Sequence, residues 1–189
     1  MLRQMAISGV LGLAVVTATP AARAQAGSET FTATATVKTA GGATASAPVT
    51  IVVDRKMSQS EADKFMAAFK AGGAAELRKA LTGVKPTGSV KIGSGALTPT
   101  RLTIERRTDK GRLITIVVDQ PLLFLGAGAP GAKPKEGYDF AVIDLEVSDA
   151  GTGSGVISPA AKISTNQGAF VVSDYSSEQI QLTKVAKAK

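Results

Sequence analysis

Strict alternation of side chains is the feature that most narrows what this chain can become. From Glu29 to Lys38, Thr30, Thr32, Thr34 and Thr36 fall on one side of the repeat and Phe31, Ala33, Ala35 and Val37 on the other. A period of two is the mark of an extended strand with one buried face. That face is mostly alanine, so whatever covers it must approach closely. Ala40-Gly41-Gly42-Ala43 suits a turn, and PVTIVVD at 48–54 reads as the partner strand of a hairpin. The pattern then recurs. RLTIERR (101–107) and RLITIVVD (112–119) form a second hairpin about Asp109-Lys110-Gly111, with Gly111 placed for a positive φ. Ile114, Ile116, Val117 and Val118 make its second strand apolar on both faces, which places it inside the sheet. In YDFAVIDLEVS (138–148), Ala141, Ile143, Leu145 and Val147 point one way and Asp144 and Glu146 the other. Segments 153–164, 169–173 and 179–185 continue the meander, and a short strand is expected at 89–92. About nine strands and one helical segment specify an antiparallel, β-rich α+β domain, a sandwich or half-barrel with a helix across one opening.

The period changes at Met57. Ser58-Gln59-Ser60-Glu61 fits a capping box, and Ala62, Phe65, Met66 and Phe69 recur at helical spacing. Gly72-Gly73 interrupts them. An unbroken helix would put Glu76 roughly 40° from the centre of the apolar stripe. The spacing therefore predicts a break at the glycines and a second short helix over 74–82 that buries Leu77 and Leu81. Gly83 ends it and Pro86 prevents its return. The mixed charges of Asp63, Lys64, Glu76 and Lys79 argue for packing against the sheet rather than for a membrane-surface helix.

Composition removes whole classes of chemistry. The chain holds no cysteine and no histidine, so it has no disulfide, no thiolate nucleophile, no Cys/His metal cage and no Ser–His–Asp triad from a single copy. No serine is followed by lysine at the spacing that lysine-assisted serine catalysis needs. The sequence points to no cofactor. Met1 to Ala26 reads as an export signal: Arg3, an uncharged run from Ala6 to Ala18, Pro20, then small residues. Cleavage is expected after Ala26, with Ala24 as the alternative. The apolar run spans only about 20 Å as a helix, short of a bilayer core of roughly 30 Å. The expected mature product, 27–189, is a single β-rich domain with a helical insertion at 58–82 and a basic tail from Lys184 to Lys189. It has no transmembrane segment, and its destination is the periplasm or the medium.

Four sets of residues suggest a chemistry. Gly126-Ala127-Gly128-Ala129-Pro130-Gly131 matches a dinucleotide fingerprint, but Pro130 and Pro134 prevent the helix that the fingerprint requires, leaving a surface loop. Asp144 and Glu146 share a strand face roughly 7 Å apart, a spacing that paired-carboxylate glycoside hydrolysis could use and that solvent-facing acids also show. Asp139, Asp149 and Asp174 fit no calcium-loop pattern. Arg101, Arg106, Arg107, Lys110 and Arg112 cluster at one hairpin as a candidate contact for an anionic envelope component or other polyanion. With eight aromatics, most of them in apolar-periodic positions, nucleic acid is not the expected main partner.

The helix broken at Gly72-Gly73, the stretch RLITIVVDQPLLFL and the meander YDFAVIDLEVSDAGTGSG resemble a group of exported bacterial proteins of unassigned function. The resemblance spans most of the mature chain. It implies an envelope or secreted setting and no activity. Two functions follow as expectations. The first is a non-enzymatic binding or envelope-associated protein, using a groove between sheet and helix or the basic hairpin. The alternative is a carboxylate-dependent hydrolase of envelope or extracellular glycans, using Asp144 and Glu146.

Overall fold

The computed structural model describes residues 27–38, 42, 44–122, 136–166, 169–174 and 179–188. The expected leader, the glycine-rich motif at 126–131 and Gln167-Gly168 lie outside them. The elements follow in the order β1 (Glu29–Lys38), β2 (Thr44–Val53), α1 (Gln59–Thr82), β3 (Gly88–Ile92), β4 (Thr98–Thr100) and β5 (Leu102–Thr108). Then come β6 (Gly111–Val118), β7 (Phe140–Val147), β8 (Thr152–Asn166), β9 (Ala169–Asp174) and β10 (Ile180–Lys187).

All the pairings are antiparallel, and the sheet order is β4-β3-β2-β1-β10-β8-β7-β6-β5, with β9 on β8. The two ends of that order are joined in the chain, because only Arg101 separates β4 from β5. The sheet therefore curls into a nearly closed barrel. At the seam the Arg101 N–H donates to the Val117 carbonyl (2.9 Å), Thr87 to Thr100 (2.9 Å) and Met57 to Thr103 (2.8 Å). The side chains of Thr87, Thr100 and Thr103 are buried there, their hydroxyls hydrogen-bonded at 3.1 and 2.9 Å. Alternation does not announce β4, which is three residues long and contains Pro99. It also understates β2, which begins at Thr44 because residues 44–47 keep alternating opposite β1.

The alternation sorts side chains as the period of two requires. Phe31, Ala35, Ile51, Ile114, Ile143, Leu145, Ile157, Ile180 and Leu182 fill the barrel interior. β6 lies between β5 and β7, as its two apolar faces demand. Its outward Val117 joins Leu102, Phe140, Val142, Ala161 and Ile163 in a second core with Phe65, Phe69, Leu77 and Leu81 of α1. The helix therefore packs on the outside of the barrel wall, over β5 to β8, and not across an opening. Those outward apolar positions are what hold it.

Ser58 caps α1 with the reciprocal Glu61 contact, and the helix breaks where the phase argument requires, at Gly72 (φ −152°, ψ 19°) and Gly73 (φ 67°, ψ −151°). The break lets Leu77 and Leu81 turn inward while Glu76 stays exposed. Burying four large side chains is worth roughly 1.5–3 kcal/mol each before ordering costs, so tertiary packing outweighs intrinsic propensity in holding this helix. Among the described residues no helix is long and apolar enough to cross a membrane.

Candidate functional site

The registers of β5, β6 and β7 arrange their outer faces in rows. Leu102, Val117 and Val142 form the first, Ile104, Thr115 and Asp144 the second, and Arg106, Leu113 and Glu146 the third. The first row lies buried under α1. The second carries a carboxylate, and an apolar helix face cannot cover a carboxylate without supplying hydrogen bonds. Close packing stops there, and a groove of about 370 Å³ opens between helix and sheet. Leu77, Leu81, Leu102, Val117 and Val142 line its apolar part, Met66 adds to the helix wall, and Ile163 and Val172 come from the β8–β9 hairpin. Gln59 and Asp63 of the helix and Arg106, Thr115 and Asp144 of the sheet are its polar lining. The Thr115 hydroxyl donates to Asp144 at 2.5 Å, and the Gln59 amide donates to Asp63 at 2.9 Å.

Asp144 is thus part of the groove, whereas Glu146, one row further out, is not among the residues lining it. The five cations of the second hairpin separate. Arg106 lines the groove and enters no ion pair among the described residues. Arg101 donates from Nε to Asp119 (3.0 Å) and from Nη1 to the Val84 carbonyl (3.2 Å). Arg107 meets Asp149 at 2.6 Å, and Lys110 sits in the exposed turn. Neighbouring residues on a strand face opposite ways, so no single face collects them.

Arg112 points into one end of the barrel. There its guanidinium forks onto Glu29 (2.8 and 2.9 Å), reaches Glu105 (2.8 Å) and lies 5.9 Å from the centre of the Phe31 ring. Lys56 bridges Glu29 (2.8 Å) and Glu105 (2.6 Å), and Lys187 adds a third cation to Glu29 at 2.8 Å. Arg112 above all, with Lys187 and Lys56, holds the Glu29 carboxyl far below the usual carboxylate range despite its burial. Burial works against ionisation of Glu105, yet Lys56 and Arg112 prevail and lower it too. Arg112 is correspondingly held above its ordinary value, chiefly by Glu29. This five-charge cluster closes one end of the barrel. Its sequence signal is an acid in the buried phase of an alternating strand, since Glu29 shares the face of Phe31 and Ala33.

Chemically the groove can hold a mostly apolar molecule while presenting donors and acceptors to its polar part. No protein-family model, no curated protein and no solved structure matches the chain.

Proposed function

We propose that this is an exported, non-enzymatic binding protein of the periplasm or medium, and that its ligand is a small amphipathic molecule held between α1 and the outer face of the barrel. The observation that carries this reading is the groove. Its volume is about 370 Å³ and its walls are apolar with a few polar groups, the size and composition of small-molecule sites. The leader-like pattern of residues 1–26 supports export. The hairpin is the weaker candidate for a polyanion, because Arg101, Arg107 and Arg112 already face Asp119, Asp149 and the Glu29–Glu105 pair.

Titration with N-phenyl-1-naphthylamine, a neutral dye that brightens in apolar surroundings, tests the groove. Saturable one-site enhancement is expected. Leu113 is only half-buried in the lining, so Leu113→Trp fills space rather than core. It should weaken binding about tenfold or more while shifting unfolding free energy by less than about 1 kcal/mol. Absence of saturable binding by the wild-type protein would sink the reading. Recovery of a chain beginning at Gly27 from the periplasm or medium tests export.

A second reading, the carboxylate-dependent hydrolase of envelope or extracellular glycans, draws on Asp144 lining the groove. It requires that Asp144→Asn and Glu146→Gln each abolish a measurable glycan turnover.

A further inference from the structure

We infer that the ligand of this groove is a neutral amphiphile with an aliphatic tail and a polyhydroxylated head, an alkyl glycoside or glycolipid by chemical class. The inference rests on the groove being the binding site, and three observations carry it further.

The first is the character of the walls. Every apolar side chain lining the groove among the described residues is aliphatic or methionine, and no aromatic ring of those residues takes part. Aliphatic walls give a saturated chain close dispersion contacts along its length, whereas a sugar or base bound alone would be expected to stack on a ring. At about 30 Å³ per water, the volume corresponds to roughly a dozen waters, or a chain of about a dozen methylene-sized groups.

The second is the rim. Among the described residues three large hydrophobic side chains are exposed, and two of them, Ile104 (36%) and Val172 (41%), line this groove. An alkyl chain leaving the floor would cover both.

The third is the charge pattern, which selects the head. Asp63 and Asp144 receive hydrogen bonds from Gln59 and Thr115 and enter no ion pair among the described residues. Arg106 is likewise without an ion pair there. An anionic head would be set against two carboxylates and a cationic head against a guanidinium. Hydroxyl groups donate and accept, so a polyol can satisfy the carboxylates and the guanidinium together. A neutral head also avoids the cost of desolvating a charge.

The test is calorimetric titration of the wild-type chain with dodecyl maltoside below its micelle concentration, beside dodecanoate, dodecyltrimethylammonium and free maltose. One maltoside is expected to bind per chain, about tenfold or more tighter than either charged dodecyl compound, with no binding of maltose. Asp144→Asn should weaken maltoside binding about fivefold or more, a larger loss than it causes for the naphthylamine dye, which has no hydroxylated head. Equal or tighter binding of dodecanoate or dodecyltrimethylammonium would overturn the choice of head and leave the groove reading standing. Dye binding without any dodecyl ligand would overturn the aliphatic tail. Failure of dye and dodecyl compounds alike would remove the groove itself.

Discussion

Glu29 is the residue on which most of the electrostatics converges. Three cations meet one carboxylate whose side chain is 7% exposed, so removing it leaves Arg112, at 13% exposure, with Glu105 as its one remaining carboxylate among the described residues. Loss of one partner of such a buried pair typically costs 3–5 kcal/mol, and Glu29→Gln should lower unfolding free energy by about 3 kcal/mol in urea titrations. The same contacts set a pH dependence. The folded carboxyl binds protons less readily than the unfolded one, whose ordinary value is 4.5. Its contribution is therefore complete above that pH and lost as pH falls below it, because the unfolded chain then takes up the proton first. Wild-type stability should decline on acidification below about pH 4.5, and Glu29→Gln should flatten that decline. Individual residues were legible to different degrees. Asp144 was visible as an outward-facing acid, but its place in a groove depends on where α1 stops packing, which no local pattern records. Arg106 and Arg112 looked equivalent in sequence. Opposite strand phases send one to the groove and the other to the barrel's end.

At the scale of elements, the break in α1 divides two kinds of glycine. Gly73 has φ 67° and ψ −151°, a combination that only glycine adopts without strain, whereas Gly72 (φ −152°, ψ 19°) keeps a negative φ. A Cβ at Gly72 would clash with Cγ of Glu76 and press on its Cβ, so that side chain must shift. Gly73→Ala should therefore cost about 1–3 kcal/mol in denaturation curves. Helical phase makes this break readable in the sequence, because an unbroken helix would bury Glu76. Strand alternation was as informative for β1, β6 and β7. It could not give the irregularity in β10, where Lys184 (φ 53°) is an extra residue against both β1 and β8, since a bulge is fixed by the neighbours' registers. Nor could it place α1, because apolar residues on both faces of β6 show that two surfaces are covered without saying which element covers each.

The whole molecule depends on pairings between distant parts of the chain. β10 stands between β1 and β8, and its absence would expose the edges of both. A chain ending before residue 179 should show no cooperative thermal transition by circular dichroism. Assembly through such non-local pairs favours folding in milliseconds to seconds rather than microseconds. The antiparallel, β-rich class followed from the sequence, but closure did not, since it rests on β4 and β5 belonging to opposite ends of one strand order.

The Ala188 N–H donates to the Thr30 carbonyl at 2.7 Å, so the first and last described strands finish side by side at the same end of the barrel. The neighbour relations consequently form a loop with no privileged origin. Splicing 188 to 28 through a short linker and opening the polypeptide between Asp109 and Lys110 would rename every strand and change no partner, leaving a circular permutant that encloses the same interior.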